Sequence, residues 1–119
     1  MTEPKLSAIA PIFQVANLQR AIDFYTRVMG FKLGWTAGEP ADRASFCRDS
    51  IEITVEVEAV PARGQAYVQV QGVDAYFARI TAADARVKVP LGDRFYGMRD
   101  GRVIDPDGNE IHIGEPLAD

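Results

Sequence analysis

The side chains able to do chemistry are few and unevenly placed. His112 is the only histidine and Cys47 the only cysteine. A single cysteine excludes an internal disulfide and any CxxC redox or metal motif. A Cys–His nucleophile would have to join Cys47 to His112, so Cys47 reads instead as a small buried hydrophobe. No Ser-His-Asp set is suggested, and no glycine-rich phosphate loop is present. What remains are carboxylates and one imidazole on strands that alternate. Ile51, Ile53, Val55 and Val57 share one face of a strand, and Glu52, Thr54, Glu56 and Glu58 share the other. Glu110 and His112 likewise stand opposite Ile111 and Ile113. If the apolar faces pack on helices, Glu52, Thr54, Glu56, Glu110 and His112 look into a concavity. Carboxylates gathered there attract a cationic ligand. The alternative is a plain solvated strand surface. The segment Asp105-Pro-Asp-Gly-Asn109 is acidic but lacks the ligand spacing of a calcium loop. It reads as a turn, with Pro106 at its second position and Gly108 supplying a positive φ.

The elements that must position these groups come in two similar runs. Leu6 to Val15 reads as a strand, with Pro11 marking an edge or bend. Asn17 is a helix N-cap, and Leu18, Ala21, Ile22, Tyr25, Val28 and Met29 recur at helical spacing behind it. Gly30 stands where a left-handed C-cap is wanted. Strands follow at 31–36, 44–47 and 51–58. The second run opens with a strand at 66–71, a helical stripe of Val73, Tyr76, Phe77 and Ile80, and strands at 86–90, 98–104 and 109–114. Asp100-Gly101 fits either a hairpin turn or a bulge. The two runs align at an offset of 55: Val15 with Val70, Leu18 with Val73, Ile22 with Phe77. Each is a βαβββ unit, so the expected fold class is α+β.

Composition narrows the function classes. The chain has 119 residues, a net charge of −4 and 47% hydrophobic residues, which is one small folded domain rather than a disordered segment. The negative charge argues against a nucleic-acid partner. No apolar run approaches the ~20 residues of a bilayer span, so no membrane partner is expected. The start, Met1-Thr-Glu-Pro-Lys5, is not followed by a secretory apolar core. With one cysteine, that makes the cytoplasm the expected compartment.

Two segments carry a family resemblance. The first runs from Val15-Ala-Asn-Leu-Gln-Arg-Ala-Ile-Asp-Phe-Tyr-Thr-Arg-Val-Met-Gly-Phe-Lys-Leu33, with Trp35 just beyond. The second is Tyr96-Gly-Met-Arg99 followed by Val103-Ile-Asp-Pro-Asp-Gly-Asn-Glu-Ile-His-Ile-Gly-Glu115. Together they resemble the vicinal oxygen chelate superfamily of glyoxalases, extradiol dioxygenases and fosfomycin- and bleomycin-resistance proteins, over about Leu6 to Glu115. The resemblance implies a single domain, 1–119, of two βαβββ modules (about 6–60 and 65–115) forming an incomplete barrel around a cleft. It also implies a homodimer that pairs or exchanges modules. Metal-dependent members carry four strand ligands, which fall here at Ala10, Glu52, Gln65 and His112. Ala10 has no donor atom, leaving Glu52, Gln65 and His112 as the only candidate metal set. The expectation is therefore a binder without cofactor or catalytic residue, of the bleomycin-resistance type. The resemblance places Trp35, Phe46 and Tyr96 at the cleft, beside Glu52, Thr54 and His112, to hold a small, cationic, aromatic molecule. Trp35 as a core residue is the competing reading. The competing function is a metal-dependent glyoxalase-type lyase, isomerase or dioxygenase.

Overall fold

A computed structural model describes residues 2–118; Met1 and Asp119, the ends of the expected domain, lie outside the described residues. The first module holds β1 (Ile12–Val15), α1 (Leu18–Asp23), β2 (Lys32–Ala37), β3 (Arg43–Arg48) and β4 (Ile51–Val57). The second holds β5 (Gln65–Gln69), α2 (Val73–Ala82), β6 (Arg86–Asp93), β7 (Met98–Ile104) and β8 (Glu110–Pro116). Each module makes one four-stranded mixed sheet, ordered β1-β4-β3-β2 and β5-β8-β7-β6. The first strand of each pairs in parallel with the last. Both sheets are open rather than closed into a barrel. The expected α+β fold of two βαβββ units is thus present, and both helices begin at the residues the repeat offset equates, Leu18 and Val73.

Local chemistry explains these starts. The Asn17 side chain accepts the Arg20 N–H at 2.9 Å, satisfying one orphan donor of α1. At α2 the cap is Gly72, which has no side chain, and β8 supplies the acceptor instead. The Glu115 carboxylate takes the Gly72 and Val73 N–H groups, each at 3.1 Å. After Asp23, α1 widens into a π-helical turn, Phe24–Val28, with the Met29 N–H donating to the Phe24 carbonyl at 3.0 Å. Gly30 closes the helix with φ +77°.

Two expectations are corrected. Of the strand expected at 6–15, only Ile12–Val15 is paired, and Leu6 and Ile9 stand fully in solvent. Pro11 marks the break, where its carbonyl still accepts the Thr54 N–H but the chain before it leaves the sheet. Asp100-Gly101 is neither a turn nor a bulge, because β7 runs straight through it. The register shifts put the extra residues on the partner strand β6, between Val87 and Val89 and between Val89 and Gly92.

The helices cover one face of each sheet, and both modules share one apolar core there. It takes Phe13, Phe46, Ile53 and Val55 from the first sheet, Val103, Ile111 and Ile113 from the second, and Tyr25, Met29, Phe77 and Ile80 from the helical segments. Two phenol hydroxyls cross between modules in opposite directions. Tyr25 donates to Asp105 Oδ2 at 2.9 Å, and Tyr76 donates to the Met29 carbonyl at 2.7 Å. The Asp105 turn is built to receive the first. Its Oδ1 accepts the N–H groups of Asp107 and Asn109, and its Oδ2 also takes the Asn109 amide at 2.8 Å.

Candidate ligand-binding faces

The chemistry-bearing groups lie on the faces of the two sheets that carry no helix. On the first sheet the register lines up Ile12, Thr54, Ser45 and Trp35 across all four strands. A second row holds Glu52, Cys47 and Lys32. Trp35 reaches this face because β2 bulges at Gly34. Leu33 pairs with Phe46 on the core side, and without the extra residue Trp35 would follow it there. A Cβ on Gly34 would sit 3.3 Å from the Ser45 carbonyl oxygen, a tight approach that a larger residue would relieve only by shifting its neighbours. Trp35 is 46% exposed, which settles it as a surface residue and not core. Ser45 is fully buried beneath this row and donates its hydroxyl to Glu52 Oε2. Neither Glu52 nor Glu56 has an ion-pair partner among the described residues.

Two expected residues behave differently. Phe46 is 0% exposed and stacks on Tyr25, with ring centroids 5.1 Å apart. It shares its face with Ile53, its register partner, so no ligand on the helix-free face can touch it. Cys47 is the reverse case: expected in the core, it is exposed among polar neighbours.

The second sheet carries Tyr67, His112 and Arg102 in one row. His112 Nε2 lies 2.9 Å from Gln65 Oε1. Burial lowers the His112 pKa and the nearby Arg102 charge adds to it, so the ring is neutral at pH 7. Beside this row stands a cluster that sequence reasoning missed. The buried carboxylate of Asp100 accepts Tyr67 Oη at 2.8 Å and Tyr96 Oη at 2.6 Å on one oxygen, and Arg94 Nε at 2.9 Å on the other. Tyr67 can reach it only because Gly114 has no side chain; a Cβ there would collide with the phenol oxygen. Burial drives the Tyr67 pKa upward and the Asp100 hydrogen bond reinforces it, so the hydroxyl stays a donor. The signal in the sequence is only a glycine between His112 and Glu115. Tyr67 and Tyr96 keep exposed ring area on this face, and Phe95 packs edge-on against Tyr96 at 5.3 Å.

The charges of the two faces differ. On the second, Glu110 is held by Lys88 at 2.8 Å and Arg102 at 3.2 Å, so it offers no free negative field. The expected carboxylates without ion pairs are Glu52 and Glu56 on the first sheet, where Lys32 and Arg43 stand in the same rows.

Within one chain the candidate metal set is not brought together. Gln65 and His112 are hydrogen-bonded to each other, whereas Glu52 lies on the other sheet with Ser45. Ala10 supplies nothing, and among the described residues no three His, Cys, Asp or Glu side chains come together to hold a metal ion. Within one chain the residues do not fit such a centre. No helix is long and apolar enough to cross a membrane.

Comparison with known proteins agrees with this architecture. The family model described as the Glyoxalase/Bleomycin resistance protein/Dioxygenase superfamily matches residues 6–113. Among solved structures, TioX from Micromonospora sp. ML1 is 26% identical, with a TM-score of 0.82 over 93% of this chain and 99% of that one. The bleomycin-binding protein of Streptomyces verticillus, solved with copper(II)-bleomycin, is 18% identical, with a TM-score of 0.77 over 98% of this chain and 100% of its own. A lactoylglutathione lyase from Agrobacterium tumefaciens is 17% identical, with a TM-score of 0.78 over 95% of this chain and 96% of its own. No curated protein matches this chain by sequence.

Proposed function

Because the chain belongs to the glyoxalase/bleomycin-resistance/dioxygenase superfamily, its fold alone leaves binder and enzyme equally open, and we propose that it is a metal-free binder of a small, cationic, aromatic molecule. One observation carries the reading: exposed aromatic rings stand on both helix-free faces, where the polar groups are tied to one another rather than gathered as ligands or nucleophiles. Trp35 sits beside Thr54 and the carboxylates of Glu52 and Glu56, which make no ion pair among the described residues. Tyr67 and Tyr96 are braced by Asp100, with His112 next to them. A planar cation stacks on such rings and is drawn by such carboxylates. The likeness to a bleomycin-binding protein supports this ligand class.

The two faces belong to different modules of one chain, and in our reading a homodimer brings them together. The Trp35 face of one copy and the Tyr67 face of the other form the two walls, joining an acidic wall to one that carries Lys88, Arg94 and Arg102. Ligand is held by sequestration, with no bond made or broken. In a cell exposed to a toxic ligand of this kind, that amounts to antibiotic resistance, and the cytoplasm is where it would act.

The test combines composition and titration. Protein purified without chelator carries less than about one-tenth equivalent of transition metal per chain, and bleomycin quenches Trp35 fluorescence saturably, at one ligand per wall pair. Stoichiometric nickel, zinc, iron or manganese, or no quenching by bleomycin, overturns the reading. Light scattering at the mass of one chain refutes the shared site.

A further inference from the structure

One well-formed cavity lies on neither helix-free face. It opens where the modules meet, between the start of β4, the end of β5 and α2, and has a volume of about 610 Å³. That is the size of pockets that hold drug-sized molecules, far more than a bare ion needs. Its floor is apolar, formed by Met29, Phe31 and Ile113 from the common core. Its rim is cationic. The Arg48 guanidinium lies over the Tyr76 ring, 5.3 Å from the centroid, with one nitrogen 3.4 Å from the Gly30 carbonyl oxygen. Arg79 follows one turn later on α2 and makes no ion pair among the described residues. The one carboxylate in the wall, Asp49, reaches Arg48 only at 4.0 Å and is 91% exposed. Burial raises the Tyr76 pKa to about 12 although Arg48 and Arg79 both pull it down, so the two guanidiniums bear on the same hydroxyl. The first turn of α2 is already satisfied by Glu115 and plays no part.

Two cations, one solvent-facing acid and an apolar floor define a complementary ligand. We propose that this cavity binds a small amphipathic anion, an apolar chain or ring bearing one carboxylate, with its body on Met29, Phe31 and Ile113 and its head between Arg48 and Arg79. Guanidinium groups are the preferred partners of carboxylates, since their paired donors match the two oxygens. The site is separate from the aromatic walls and does not depend on what they bind.

The probe is octanoate, with octan-1-ol as its uncharged counterpart, titrated into the full chain by calorimetry and by amide NMR. Octanoate saturates at one site per chain and shifts the Ser50, Gly72 and Ala75 amide signals, and octan-1-ol binds at least about tenfold more weakly. Arg79→Gln weakens octanoate by about tenfold and Arg79→Lys restores part of the loss. Ala75→Trp, on the exposed side of α2, fills the cavity and abolishes binding. Both positions are exposed, so thermal melts confirm that the variants fold. The proposal is overturned if octanoate does not saturate, if octan-1-ol binds equally well, if Arg79→Gln has no effect, or if the shifted signals lie on the Trp35 face.

Discussion

Replacing Tyr25 by Phe isolates one of the two hydroxyls that cross between modules. The ring is retained, so its stacking on Phe46 and its edge contact with Phe24, at 5.0 Å, are unchanged. Only the donor to Asp105 is lost. Asp105 is fully buried, and its Oδ2 then keeps one partner, the Asn109 amide. A hydrogen bond to a buried charged group contributes about 1.5–3 kcal/mol, and the surviving partner places this case near the middle, at about 2 kcal/mol. For a chain of this length each kcal/mol moves the melting temperature by about 4 °C, so Tyr25→Phe melts about 8 °C lower. Tyr76→Phe removes a neutral bond to the Met29 carbonyl instead. It costs about 1 kcal/mol, or about 4 °C. The two bonds share no partner, so the double variant loses close to their sum. The assay is calorimetric melting at one fixed protein concentration. A Tyr25→Phe loss of less than about 2 °C, or one smaller than that of Tyr76→Phe, refutes the reasoning, because a buried carboxylate would then be indifferent to losing a donor.

Two further outcomes follow from the faces. Phe46→Ala destabilises by about 3–5 kcal/mol because it empties a core site, whereas Trp35→Ala costs under about 1 kcal/mol and weakens bleomycin binding about tenfold; chemical denaturation and calorimetric titration of both variants check this. Burial pushes the Asp100 pKa up, but the bonds from Tyr96, Arg94 and Tyr67 outweigh it and hold the carboxyl below its ordinary value. The contribution of Asp100 to stability is therefore complete above the unfolded value of about 4 and lost as pH falls below it. Melts between about pH 5 and pH 2 should show a steeper acid loss in the natural chain than in Asp100→Asn.

The fold was legible because its signals are local and doubled. Asn17, Gly30 and the stripes beginning at Leu18 and Val73 each specify a helix from neighbouring residues. Phe46 was misplaced although its strand held the answer. Ala44 and Phe46 share one parity, Arg43, Ser45 and Cys47 the other, and the apolar parity is the core one. Trp35 had no comparable signal, since its side depends on a bulge at Gly34. The Asp100 cluster was beyond reach for another reason. Its members come from β5, β7 and the loop between β6 and β7, and only the sheet register and the gap over Gly114 bring them together. Arg48 and Arg79 likewise line one cavity only because the modules come together.

The core and the two ring-bearing faces lie on opposite sides of the same sheets. On the proposed reading, a substitution at Trp35 or Thr54 thus changes what the wall offers a ligand while leaving the packed interior untouched. Each wall also belongs to its own half of the chain. Ligand preference can therefore drift one wall at a time at little cost in folding, which gives a small duplicated unit a wide range of molecules to acquire.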